Sequence, residues 1–345
     1  MSAAVSRPGV AEAPLLRVEG LRTWFPVRAG VLQRPVAWVR AVDDVSFQVE
    51  AGQTLALVGE SGCGKTTVGR SLLRLVEPQA GQVWFEGADL LALPRAALRP
   101  LRRRIQIVFQ DPMASLDPRM RVRDLVAEGM QVHGIGASDA ERTERVAALL
   151  QRVQIEPRQM WRYPHEFSGG QRQRICIARA LALEPRLLIC DEATSALDVS
   201  IQSQVLNLLR DLQQELGLAY LFITHDLGVV RYLADRVAVM YLGQIVEEGE
   251  TEALFRAPQH PYTQALLAAV PSLDPARPAA RAVVRGDVPS PSAPPPGCRF
   301  HTRCPYVFAR CRSEAPPAYA TPTGASRCFL LDPAEAMRAR DGSRT

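Results

Sequence analysis

The chain has 345 residues, 47% apolar and 22% charged, with 41 Lys or Arg against 36 Asp or Glu and a net charge of +5. That length allows one large domain with an appendage or two domains, and the apolar fraction suffices for a full globular core. No run nears the ~18 apolar residues of a membrane helix, the first 14 residues lack a basic-then-apolar leader pattern, and so small and dispersed a charge carries no nucleic-acid signature.

Residues 15–19 and 45–50 alternate apolar with polar side chains, as half-exposed antiparallel strands do. Between them, residues 26–40 contain glycine and proline and read as a long loop or hairpin excursion. Residues 54–58, Thr-Leu-Ala-Leu-Val, predict a buried strand, and residues 68–75 predict a helix. Gly59-Glu60-Ser61-Gly62-Cys63-Gly64-Lys65-Thr66-Thr67 joins them and fits G-x-x-x-x-G-K-[ST] in its required strand–loop–helix setting. Lys65 is the only lysine; the other 40 of 41 basic side chains are arginine. A compact ammonium fits within a ring of backbone N–H groups around a phosphate, whereas the wide guanidinium fork does not. The loop therefore predicts a nucleoside triphosphate site.

Residues 83–86 and 105–109 read as further strands, and residues 111–183 turn helical, with apolar positions three and four apart over 121–132 and 140–153. Phe167-Ser168-Gly169-Gly170-Gln171 opens a helix running towards residue 182. Serine and two glycines there leave N–H donors pointing outward as an anion site, although these residues alone read more simply as a helix cap. Residues 187–190 and 220–223 are continuous apolar runs of the kind central parallel strands need, joined by a crossover helix over 201–216. The first run ends in Asp191-Glu192. One carboxylate suits Mg²⁺ beside the Thr66 hydroxyl and the other suits a general base on water; the plainer alternative is a strand ending in two solvated acids. Residues 237–241 and 244–248 predict a hairpin across Leu242-Gly243, and a short helix follows His260-Pro261-Tyr262-Thr263 to residue 269. Eight prolines in residues 271–296 mark a linker before a compact cysteine-bearing tail. No internal repeat is visible, so a single nucleotide unit is expected.

In this order the motifs resemble those of the nucleotide-binding subunits of ABC transporters. Ser168-Gly169-Gly170-Gln171 matches their signature, with Phe167 where leucine is usual, and Ser195-Ala196-Leu197-Asp198 matches their D-loop. Gln110, after Ile107-Val108-Phe109, matches the Q-loop glutamine; His225 follows its strand as the switch histidine does. Phe25, or neighbouring Trp24, is placed like the aromatic that stacks on adenine. The resemblance implies an α/β P-loop ABC nucleotide-binding domain over residues 14–255, with a mixed core sheet, an antiparallel β subdomain and a helical subdomain at about 111–183, then a small C-terminal extension over 256–345. It also implies that the 59–67 loop wraps the β- and γ-phosphates of ATP with Lys65 as counter-charge. Thr66, Asp191 and Gln110 would surround Mg²⁺, while Glu192, Gln110 and His225 would form the catalytic group. Ser168 and Gly170 would belong to the ATP bound on the facing subunit of a head-to-tail dimer, and Gly169, Gln171 and Asp198 would be further ATP-binding residues. A non-transport ABC ATPase, an exporter ATPase and a soluble P-loop kinase or GTPase are the rival readings.

His260-Pro261-Tyr262-Thr263-Gln264-Ala265-Leu266-Leu267 resembles the segment that closes the cassette in importers of oligopeptides and dipeptides. Residues 110–120 and 26–40 are more similar to the second of the two ATPase subunits of such systems than to the first. This implies an ATP-hydrolysing subunit for uptake of peptides, or of a related solute such as nickel or glutathione. Its partners would be a sister ATPase in a heterodimer, two membrane permeases and an extracytoplasmic solute-binding protein, with no nucleic acid, and its place the cytoplasmic face of the membrane. In the tail, Cys298, Cys304, Cys311 and Cys328 follow C-x5-C-x6-C-x16-C. Thiolates gather zinc or iron–sulfur; without C-x2-C knuckles, and with Pro305 after Cys304, the pattern points to a [4Fe–4S] cluster, as does the resemblance to the carboxyl extension of peptide-importer ATPases. Zinc and unliganded thiols are the alternatives. Seven cysteines make an odd count, and Cys63, Cys176 and Cys190 read as small core residues with no disulfide framework.

Overall fold

The computed structural model describes residues 13–30, 33–269 and 286–335. β1 (Leu16–Ala29) and β2 (Arg34–Val49) pair antiparallel as one long hairpin. β3 (Thr54–Val58) enters the glycine loop, and α1 (Lys65–Leu72) leaves it. β4 (Ala80–Phe85), β5 (Ala88–Asp89), α2 (Arg95–Arg104) and β6 (Ile105–Val108) follow. A helical stretch then comprises α3 (Pro112–Ser115), α4 (Val122–Val132), α5 (Asp139–Arg152) and α6 (Gly169–Leu181). Strand and helix alternate through β7 (Leu187–Asp191), α7 (Val199–Leu216), β8 (Ala219–Thr224) and α8 (Leu227–Leu233). β9 (Arg236–Tyr241), β10 (Gln244–Glu250), α9 (Thr251–Arg256) and α10 (Pro261–Ala268) come next. The tail contributes α11 (Ala309–Ser313), β11 (Tyr319–Thr321) and β12 (Gly324–Ser326).

Two sheets form. One has strand order β2-β1-β4-β5, and the other β11-β12-β10-β9-β3-β8-β7-β6. In the larger sheet β3 runs parallel to β8 and β9, and β7 parallel to β6 and β8, while β9 to β12 pair antiparallel. β3, β7 and β8 are buried along their whole length, as strands covered on both faces must be. Their side chains sort by parity. Leu55, Leu57, Leu187, Ile189, Leu221 and Ile223 join α1 and the small sheet in one core. Leu188, Cys190, Tyr220 and Phe222 face the other way, into a core shared with α4 to α7. Alternation at period two thus sandwiches the sheet between two layers.

Of the two readings of residues 26–40, the hairpin holds: 26–29 and 34–40 are strand, with Pro26 opposite Trp38 and Val27 opposite Ala37, and a register shift follows Val27. α2 presents only a short apolar stripe, with Leu98 buried and Leu101 half-buried against the same core. The tail hairpin joins the main sheet through Glu247 opposite Ser326 and Glu248 opposite Ala325. The proline-rich linker lies outside the described residues over 270–285, as does the leader reading over residues 1–12. Among the described residues no helix is long and apolar enough to cross a membrane.

A Cβ built on Gly249 would lie 2.1 Å from the Thr323 carbonyl oxygen, because the turn between β11 and β12 closes on β10 there. Gly249→Ala should therefore cost about 1–3 kcal/mol, read as a lower thermal midpoint. An unchanged midpoint would mean that the tail hairpin does not contribute to the folded sheet.

Candidate nucleotide site

Two glycines of the loop are demanded by what lies beneath it. Gly59 has φ +155°, and a Cβ there would meet the Met240 carbonyl oxygen at 2.1 Å. Gly64 has φ +109°, and its Cβ would meet the Ala41 carbonyl oxygen at 1.9 Å. Gly243 N–H donates to the Cys63 carbonyl at 2.9 Å, so the β9–β10 turn also braces the loop. Ser61 and Gly62 form its exposed crown, and Thr67 is half-buried in the first turn of α1. The N-cap of α1 is Gly64, with no side-chain cap, which leaves the first N–H groups of the helix directed at the loop's interior. Lys65 is only 4% exposed. Its Nζ donates to the carbonyls of Gly59 at 2.9 Å and Glu60 at 3.1 Å. Burial raises the Cys63 thiol, against the nearby Lys65 ammonium.

At the carboxyl end of β7, Thr66 Oγ1 donates to Asp191 Oδ1 at 2.8 Å. Asp191 is 2% exposed; burial raises its carboxyl, and the Thr66 hydrogen bond and the charge of Arg70 oppose that rise. A buried carboxylate beside a hydroxyl is the hard-oxygen donor set that suits Mg²⁺. Glu192 follows in the left-handed region at φ +48°, a strained conformation for this residue type. Its N–H donates to the Ile223 carbonyl at 2.9 Å, anchoring the turn on β8. The side chain then accepts from Gln110 Nε2 at 2.9 Å, and His225 Nδ1 lies 3.5 Å from its other oxygen. Segments following β3, β6, β7 and β8 thus converge outside the carboxyl ends of parallel strands.

The remaining motif residues form a second group. Ser168 N-caps α6 in a capping box: its Oγ accepts from Gln171 N–H at 3.3 Å, and Gln171 Oε1 accepts from Ser168 N–H at 3.0 Å. Gly169 is exposed, while a Cβ on Gly170 would strike Ile201 Cγ2 at 2.3 Å, so α6 and α7 approach closely there. Asp198 caps α7, and the Ile201 N–H hydrogen bond, with Ser200, holds its carboxyl below the usual range. Among the described residues no hydrogen bond or ion pair links 168–171 to the 59–67 loop. On β1, Trp24 lies under the Arg40 guanidinium, 4.9 Å from its ring centroid, whereas Phe25 is 38% exposed.

Family models for the ABC transporter and for the oligopeptide/dipeptide transporter C-terminal region match residues 42–195 and 246–311. A Brucella ovis protein named for peptide import and ATP binding is 54% identical over 305 residues, covering 88% of this chain and 94% of that protein. The chain belongs to the ABC transporter ATPases. A Sinorhizobium fredii protein named as a peptide ABC transporter ATP-binding protein is 53% identical over 323 residues, covering 93% of this chain and 91% of that one. The glutathione import ATP-binding protein GsiA of Salmonella paratyphi A is 57% identical over 274 residues, 79% of this ATPase but 44% of GsiA. Among solved structures, cbiO1 of Clostridium perfringens, part of the cbiONQ ABC transporter complex, superposes with a TM-score of 0.61 at 29% identity, covering 71% of this chain and 92% of that one. An ATP-binding cassette solved as a dimer after hydrolysis, with ADP and phosphate, gives 0.61 at 28% identity, covering 68% of this chain and 98% of that one.

Two contacts of this ATPase's loop have no signal in the sequence. Glu60 N–H donates to the Tyr262 hydroxyl at 3.0 Å, from the segment after β10. The Glu60 carboxylate accepts from both terminal nitrogens of Arg303, at 2.9 and 3.2 Å. Arg303 lies 243 residues away, inside the cysteine tail.

The tail thiols are themselves buried or half-buried. Burial pushes Cys298 up to about 11 and Cys328 up to about 12, and each is raised further by Cys304 and Cys311. Cys176 and Cys190 are likewise raised to about 12 by burial, in keeping with core positions. Although the four tail thiols lie within electrostatic reach of one another, no group of three or more His, Cys, Asp or Glu side chains among the described residues is arranged to hold a metal ion. The expected iron–sulfur ligand set thus finds no support among the described residues.

The enclosed Lys65 ammonium leaves little room for a wider head group. Lys65→Arg should weaken binding of a fluorescent ATP analogue by at least about tenfold despite the retained charge. Wild-type affinity in that variant would remove the steric argument.

Proposed function

We propose that this ATPase energises import of di- or oligopeptides, as one of two ATPase subunits beneath a pair of membrane permeases. The observation that carries this reading is the succession, in one chain, of an ABC transporter match over residues 42–195 and an oligopeptide/dipeptide transporter C-terminal region over 246–311. GsiA's likeness supports glutathione as a second cargo reading, and nickel stands as a further alternative.

In this reading the 59–67 loop binds the β- and γ-phosphates, with Lys65 neutralising them. Thr66, Asp191 and the Gln110 amide would hold Mg²⁺, which when bound supplies charge neutralisation of the triphosphate. Glu192 takes a proton from water as general base, oriented by the Gln110 hydrogen bond on one oxygen and by His225 beside the other. Phe25 offers its exposed ring to adenine. Ser168, Gly169, Gly170, Gln171 and Asp198 close over the nucleotide of a facing subunit. That assignment is supported by the lack of any described bond between them and their own loop, and by the dimeric form of the solved cassette. Closure from both sides excludes water and strengthens every charge contact. The facing subunit is a sister ATPase, giving a heterodimer at the cytoplasmic face of the membrane. An extracytoplasmic solute-binding protein delivers the cargo, and no nucleic acid takes part.

Glu192→Gln should leave ATP affinity intact and lower turnover by about 10²–10⁴-fold; normal hydrolysis would remove Glu192 from the role of base. In liposomes containing both ATPases and both permeases, peptide-loaded binding protein should stimulate ATP hydrolysis. Stimulation only by nickel- or glutathione-loaded protein would change the cargo, and none by any of them would sink the importer reading. The proposal needs no cluster on Cys298, Cys304, Cys311 and Cys328. Stoichiometric iron and acid-labile sulfide in anaerobically purified protein would restore one.

A further inference from the structure

Glu60 is an acidic side chain inside a loop that must wrap polyphosphate. Left free, its carboxylate would repel the anion that the loop's N–H groups and Lys65 attract. The structure holds Glu60 at three points. Its N–H donates to the Tyr262 hydroxyl, its carbonyl accepts from Lys65 Nζ, and its carboxylate is clamped by the Arg303 fork. The Arg303 side chain is 8% exposed and that of Glu60 30%, so the pair is largely withdrawn from water and weakly screened.

Arg303 is itself fixed. Its guanidinium lies 5.8 Å from the Tyr241 ring centroid. Tyr241 packs at 4.6 Å on Tyr262 and edge-on at 5.3 Å against Phe300, three residues before Arg303. A second tail arginine, Arg299, anchors the same segment by donating to Asp43 and to the Leu242 carbonyl. The tail therefore docks against the base of the phosphate loop with a rigid cation aimed at the loop's one acid.

We propose that Arg303 is a positioning residue for nucleotide binding, neutralising Glu60 and turning it away from the phosphates, so that the C-terminal tail sets the ATP affinity of the cassette. This rests on the loop being the ATP site. It predicts a dependence that packing alone would not produce: loss of Arg303 harms binding only while residue 60 is negative.

The test uses the full chain in the assembled transporter, with Arg303→Gln, Glu60→Gln and the double variant. The readouts are fluorescent-ATP affinity, KM and kcat. Arg303→Gln should raise Kd and KM about tenfold with kcat within about twofold. In the Glu60→Gln background the effect of Arg303→Gln should vanish, so that the double variant matches Glu60→Gln alone. Wild-type KM in Arg303→Gln, or a loss on adding Arg303→Gln to Glu60→Gln as large as the loss on adding it to wild type, would overturn the proposal. Arg303→Lys, which keeps the charge and most of the packing, serves should the glutamine variant not fold. It should bind ATP within about threefold of wild type, and a tenfold loss in it would count against charge neutralisation. Failure of wild-type protein to bind ATP would sink the ATPase reading, whereas binding insensitive to Arg303 would sink this inference alone.

Discussion

The one constraint on which the rest depends is the close contact between the phosphate loop and the chain beneath it. A loop whose N–H groups point inward must send its carbonyls and any Cβ elsewhere, and here that space is filled by backbone. The Met240 and Ala41 carbonyl oxygens stand where side chains on Gly59 and Gly64 would be. The Lys65 ammonium, enclosed by the carbonyls of Gly59 and Glu60, ties the two ends of the loop together. The glycines thus answer first to β9 and β2, and only through them to an anion.

From that anchor the parallel strands deliver the chemistry. β3, β7 and β8 run side by side in one direction, so Lys65, Glu192 and His225 all emerge at one edge, and β6 adds Gln110. None of these residues is near another in sequence except within its own segment. The strained backbone at Glu192 is held by a hydrogen bond to β8, and its carboxylate sits between an amide donor and an imidazole. The residues of the Ser168 and Asp198 turns are occupied in capping their own helices, with α6 and α7 in close contact at Gly170. They therefore present a preformed edge rather than a part of the local pocket.

The tail is less of an appendage than its linker suggests. Through β12 it extends the core sheet, through Arg299 it reaches Asp43 on β2, and through Arg303 it reaches the phosphate loop. Its four cysteines lie alongside these contacts, Cys298 and Cys304 packing against the core that holds Tyr241, Tyr262 and Phe300.

Much of this was legible in the residues. Continuous apolar runs announced β3, β7 and β8 because a strand buried on both faces has no polar side to show, and the glycines with Lys65 announced the loop because few other residues can occupy it. The excursion over residues 26–40 stayed ambiguous, since glycine and proline signal turns while the partner strand that makes them a hairpin lies elsewhere. α2 was hidden because only Leu98 and Leu101 of its ten residues pack on the core, among five arginines, and β11 and β12 because three-residue strands are too short for alternation to register. The sequence alone determined which faces are buried and which chemical groups are available, since periodicity and residue type are local properties. Only the tertiary structure decided which groups meet. Pairings such as Glu192 with Gln110 and Glu60 with Arg303 depend on strand order and docking, which leave no periodic trace along the chain.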